Sequence, residues 1–241
     1  MNGVVAQVLL AALPAVAAIL LHELAHGWAA LALGDDTARA AGRLSLKPWR
    51  HVDRVGTLLL PGALLLGQLA TIGQVEFMFG WLKPVPVAAY RLHLGKYQNP
   101  RRLMMLVALA GPLVNFALAW LAALSLRPAA GLAPLPAKVV GTMLWYFILY
   151  NLVLGLFNLL PVPPLDGGRV AVGLLPEALA LRWARLERAG IALVLLGAFV
   201  LPAVLRQAGV AFDPVRGLLD RVLPAALTLV LRLAGSPDAG F

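Results

Sequence analysis

Apolar residues fall along this chain in long uninterrupted blocks. Blocks near or above the roughly 20 residues that a spanning helix needs cover about 4–33, 55–80, 103–126, 138–161, 189–205 and 215–233. They predict an all-α polytopic membrane fold with about five to six transmembrane helices. Asp213-Pro214, ahead of the last block, is a sound helix start. Block 55–80 is interrupted by Pro61, Gly62, Gly67, Gly73 and Gly80. Such backbone is tolerated at membrane depth only under cover of protein or water, so a re-entrant hairpin is expected there. Gly42 to Lys47 alternates in polarity and is expected to form a short β element after the first helix.

The connections carry the basic residues. If every block crossed once, ten would lie on one face and nine on the other, with no bias. If block 55–80 returns to its starting face, segments 34–54, 81–102 and 166–188 gather fourteen inside and leave five outside. The positive-inside rule prefers the second arrangement: five crossings plus the hairpin.

Composition agrees with a membrane chain. Of 241 residues, 61% are hydrophobic and 13% charged, and the mean hydropathy is +0.85. The net charge of +9 is explained by short basic loops facing anionic lipid, which leaves no call for nucleic acid. No repeat or appended soluble domain is visible, so residues 1–241 read as one membrane-embedded domain. The first block is too long for a signal peptide core and lacks a basic leader.

With no cysteine in the chain, a metal must be held by His, Asp or Glu. His22-Glu23-Leu24-Ala25-His26 supplies such a set. Residues four apart share one helix face, so His22 and His26 can bind one zinc ion at about 2.0–2.1 Å. Glu23 can then take a proton from water without being a ligand. Three ionisable groups within five residues of a spanning helix are costly unless paired. The longer soluble zinc-protease signature needs Gly at position 29 and His at 32, where this chain has Ala29 and Ala32. The third ligand must come from elsewhere. Asp166 is the first choice, in Asn158-Leu-Leu-Pro-Val-Pro-Pro-Leu-Asp166-Gly-Gly, because its prolines unwind a helix end and its glycines permit close backbone approach. Glu76 is the rival. Two His and one carboxylate leave a fourth position open, as catalysis requires.

These segments resemble the site-2 protease family of intramembrane zinc metalloproteases, in its small bacterial and archaeal subgroup without PDZ or CBS domains. HELAH matches the His-Glu-x-x-His element, Asn158–Gly168 the Asn-x-x-Pro-x-Pro-x-x-Asp-Gly element, and Gly111-Pro-Leu-Val-Asn115 a Gly-Pro-x-x-Asn element that opens the intervening helix. Phe79 to Val87 is similar to a stretch of that subgroup. The resemblance covers about residues 15–175. It implies a zinc metalloendopeptidase, multi-pass in a prokaryotic plasma membrane, that cuts peptide bonds in or near transmembrane segments. His22, His26 and Asp166 would hold one Zn2+, and Glu23 would act as general base and then acid. Asn158 and Asn115 would be amides that contact the substrate. Such chemistry needs an unwound substrate, and an exposed strand edge at 42–47 could bind it by β-augmentation.

Outside these motifs, His51 and His93 read as solvated or headgroup-facing, Asp35-Asp36 as a solvated turn, and the tryptophans as interfacial or packing residues. A polytopic transporter or a non-proteolytic metal-binding membrane protein is the alternative, since both also bury ionisable groups.

Overall fold

The computed structural model describes residues 3–71, 73, 80, 82–207, 209–210 and 213–236. Glu76 and Trp81 lie outside the described residues. Helix α1 is Gly3–Ala32, α2 Thr37–Ala40, α3 Leu60–Thr71, α4 Pro100–Leu124, α5 Leu126–Ala130 and α6 Pro134–Asn158. Next come α7 (Asp166–Leu174), α8 (Glu177–Arg185), α9 (Gly190–Leu195), α10 (Leu201–Gln207) and α11 (Pro214–Leu233). Three helical stretches are long and apolar enough to cross a membrane: Leu10–Ala32, Pro100–Ala130 and Pro134–Asn158.

Helix ends follow local chemistry. The Asn99 side chain accepts from Arg102 N (3.1 Å) ahead of Pro100, and Asp213 accepts from Arg216 N (2.9 Å) ahead of Pro214. Both are side-chain caps with proline in the first turn. Gly111-Pro112 does not open a helix. It lies inside α4, because the Asn99 cap starts that helix three turns earlier. Helix α1 ends at Gly34, whose φ of 92° suits only glycine, and Asp35 N then closes on Ala30 O (2.9 Å).

Helices α1, α4, α6 and α7 form the centre of the bundle. At one end Ala30, Leu92, Leu103 and Val107 make a buried cluster. At the other, Ala119, Ala123 and Leu126 pack with Ile148 and Leu152 of α6 and with Val230, Leu231 and Ala234 at the end of α11. Helix α11 carries Arg216, Asp220, Arg221 and Arg232 and still buries this terminal stripe. Its end therefore lies beside Arg127, opposite the end where α1 finishes.

The segments flanking the second apolar block are sewn to each other and to the end of α1. Lys83 N donates to His51 O (2.7 Å) and His93 N to Leu33 O (2.8 Å). A Cβ on Gly80 would meet Gly56 O at 2.5 Å. Residues 54–71 are helical. Residues 82–88 are extended, held in that form by Pro84 and Pro86.

Three sequence expectations are corrected here. No strand occurs among the described residues, whose single bridge pairs Leu94 with Tyr97. Segment 42–47 fails as a strand because Gly42 turns the chain at φ 65° and Arg50 Nη1 clamps the Gly42 carbonyl at 3.0 Å. His51 is fully buried, with Nε2 donating to Ser45 O (2.9 Å); His93 is exposed, as expected. Asp35 is also buried rather than solvated. Its carboxylate accepts from Thr37 Oγ1 (2.5 Å), Thr37 N (3.0 Å) and Ala88 N (2.6 Å). Only Asp36 faces solvent, paired with Arg91 at 2.6 Å.

Burial alone would raise the Asp35 pKa, but the hydrogen bonds from Thr37 and Ala88 outweigh it and hold the carboxyl below its ordinary 3.8. A carboxyl held down contributes its full stability above that ordinary value and loses it as pH falls through the folded value. Asp35→Asn is expected to lower stability by about 1–3 kcal/mol at neutral pH and to flatten the loss of stability on acidification. Thermal unfolding in detergent across pH 3–7 measures both, and an unchanged midpoint would refute the role.

Candidate metal centre and active site

His22 and His26 lie on the last three turns of α1, and Asp166 opens α7. The three side chains come from distant parts of the chain and meet in one place. Asp166 Oδ2 is 3.2 Å from Nε2 of each histidine, and the two Nε2 atoms are 3.1 Å apart. Ligand atoms around a tetrahedral ion with bonds of about 2.0–2.1 Å sit about 3.3–3.4 Å from one another. The triangle is thus close to the size that a zinc ion would hold. His22 and Asp166 are buried, and the His26 side chain is 12% exposed. Asp166 Oδ2 is a buried oxygen with no hydrogen-bond partner beyond its approach to the two rings. A cation is the natural partner for such a group in an apolar bundle.

The surrounding backbone makes the convergence possible. His26 Nδ1 donates to the Val107 carbonyl at 2.8 Å, which leaves the Nε2 lone pair free toward the centre. A Cβ on Gly111 would stand 2.5 Å from His26 Cε1 and Nε2 and 2.6 Å from His22 Cε1. Only glycine lets α4 come this close to both rings. Gly167 and Gly168 do the same for α7: their Cβ atoms would strike Leu159 O at 2.2 Å and Pro163 N at 2.6 Å. Asp166 is thereby drawn back over the proline turn and aimed at α1. The pattern of the sequence marks Gly167 and Gly168 for this duty, whereas that of Gly111 emerges from the packing.

A cavity of about 300 Å³ opens on the triangle, and its walls include Glu23, Pro84, Val85, Phe157, Asn158 and Arg169. Glu23 Oε2 accepts from Val85 N at 3.2 Å, so the extended segment 82–88 fixes this carboxylate beside the cavity. Asn158 forms part of the wall, with its Nδ2 also donating to Leu154 O (3.0 Å). Asn115 is not on the wall. It is fully buried, with Oδ1 2.5 Å from His22 Nδ1, so its amide faces His22. Residue 115 lies one helical turn beyond Gly111, on the face that the histidines cover.

Gly111→Ala is expected to weaken zinc retention by about 10–100-fold, the range for disturbing groups that orient metal ligands. Metal analysis after dialysis against a chelator reads this directly, and wild-type zinc content would contradict the packing argument.

Comparison with known proteins agrees with this centre. The sequence pattern of peptidase family M50 matches residues 10–133 and 129–203. YwhC of Bacillus subtilis, whose name describes a zinc metalloprotease, is 39% identical over 186 residues, covering 76% of each chain. Rip2 of Mycobacterium tuberculosis, named in the same way, is 33% identical over 153 residues, covering 62% of this chain and 51% of its own. Rip3 of that organism is 33% identical over 155 residues, covering 64% of this chain and 28% of its own. No solved structure matches. With its metal-sized triangle beside a glutamate and its apolar spanning helices, the chain belongs to peptidase family M50 and is an intramembrane zinc metalloprotease.

Proposed function

We propose that this protein, as one membrane-embedded domain, hydrolyses peptide bonds in or near the transmembrane segments of membrane-protein substrates. His22, His26 and Asp166 hold the zinc ion, and Glu23 moves the protons. The triangle of Nε2, Nε2 and Oδ2 carries this reading. Bound zinc supplies Lewis acidity, making water more acidic and a carbonyl more electrophilic.

The residues of the chain do the rest. Glu23, held through Oε2 by Val85 N, takes a proton from the attacking water and returns it to the departing amine. Asn158 stands at the wall where its amide can donate to a developing oxyanion. The apolar wall of Pro84, Val85 and Phe157 keeps bulk water away from the reacting groups. A helix keeps its carbonyls in internal hydrogen bonds, so the substrate enters unwound, with its carbonyls released to the reacting groups.

The same reading takes the protein to be multi-pass in a prokaryotic plasma membrane. It takes the chain to cross five times, with run 55–80 entering the bilayer and returning to its own face. The bonds joining 51 to 83, 33 to 93 and 35 to 88 support this, since they keep segments 34–54 and 81–102 together. The close packing of Gly173 on Met105 supports placing 166–188 on that face too.

Glu23→Ala is expected to lower turnover by about 10²–10⁴-fold with zinc content unchanged, in a cleavage assay on a reconstituted transmembrane substrate. Wild-type turnover in that variant would remove the protease reading and favour a transporter or scaffold. Cysteines placed at 92–98 are expected to react with an impermeant label from the face that carries 34–54. Reaction only from the opposite face would exclude the return of 54–80.

A further inference from the structure

Beyond Asn115, a second fully buried amide continues inward from the metal centre. Asn115 Nδ2 lies 2.7 Å from Asn151 Oδ1, and Asn151 Nδ2 lies 2.8 Å from the Phe147 carbonyl. Both asparagines are completely shielded from solvent. The chain His22–Asn115–Asn151–Phe147 thus links α1, α4 and α6 by three consecutive hydrogen bonds.

Its polarity is set from the far end. The Phe147 carbonyl can only accept. Asn151 must turn its NH2 toward it, which leaves Oδ1 to accept from Asn115. Asn115 must then offer its own NH2 to Asn151, and its Oδ1 is left facing His22. An oxygen in that position can only accept, so the His22 proton resides on Nδ1 and the Nε2 lone pair points at the centre. Reversing any one amide would set two donors or two acceptors against each other in a dry bundle, at a cost of about 1–3 kcal/mol. His26 receives the same instruction directly from Val107 O. Three acceptors, two Nε2 and one Oδ2, then face one another across 3.1–3.2 Å.

We propose that Asn151 is a positioning residue of the zinc site, fixing the tautomer and ring orientation of His22 through Asn115. It touches neither metal nor substrate. The proposal rests on the metal reading of the triangle. A buried asparagine also serves as glue between membrane helices, and that role alone would not pass through Asn115 to the metal.

The test is zinc affinity of the purified full chain in detergent, measured by competition with a chromophoric chelator. It compares wild type, Asn115→Leu, Asn151→Leu, the double variant and Asn151→Asp. Asn115→Leu and Asn151→Leu are each expected to weaken binding by about 10–100-fold. The double variant is expected to be no weaker than Asn115→Leu alone, because residues acting in series are not additive. Asn151→Asp, as a buried neutral acid, keeps one donor for Phe147 O and one acceptor for Asn115, and is expected to restore most of the affinity. If Asn151→Leu does not fold, Asn151→Ala takes its place with the same expectation. Wild-type affinity in the Asn151 variants, additive losses in the double variant, or no rescue by Asn151→Asp would each overturn the proposal. A wild-type protein that holds no zinc would overturn it together with the metal reading, whereas the other outcomes leave that reading standing.

Discussion

The structure depends on the cost of placing acceptor lone pairs against one another away from water. Two imidazoles and a carboxylate converge in an apolar bundle, where each would be expensive alone. A divalent cation converts that repulsion into the strongest local attraction in the molecule. Much of the nearby sequence is explained by the need to let these groups meet. Glycine stands where α4 and α7 must come close, and proline where α6 must stop. The carboxylate sits at the first residue of α7, where a helix start favours negative charge.

Around this centre the extended segment 82–88 acts as a strap. It is tied at its start to the His51 carbonyl, in the middle to Glu23 and at its end to Asp35. One stretch of backbone thus fixes the Glu23 carboxylate and braces the end of the helix bearing it. Pro84 and Pro86 leave few N–H groups in the strap, and those at 83, 85 and 88 are all used. Its prolines hold it extended without a neighbouring strand, so a sheet was never needed there.

The three residues of the metal-sized triangle were legible in the sequence because their chemistry is local. A four-residue spacing puts two histidines on one face, and a Pro-rich break with Asp-Gly-Gly marks a carboxylate held off a helix end. The helical character of the long apolar blocks was legible for the same reason. What could not be read were facts set by long-range packing. Asp35 and His51 look like loop residues in a charged, polar stretch, yet both are buried because the strap folds over them. Gly111 reads as one glycine among 23 until two imidazoles are found against it. Asn115 carried a motif signal, but its direction, toward His22, depends on the rotation of α4. The strand expected at 42–47 shows the limit of alternation as a cue: a left-handed glycine and one arginine clamp outweighed it.

The seam between residues 51 and 83 and between 56 and 80 has an evolutionary corollary. An excursion whose departure and arrival points are stitched together is topologically a side arm. Lengthening such an arm adds closure entropy only logarithmically and transmits no displacement across the stitches. Descendants of this protein can therefore gain or lose residues within the arm, and remodel what it presents to lipid or to a docking protein, while the catalytic framework keeps its register.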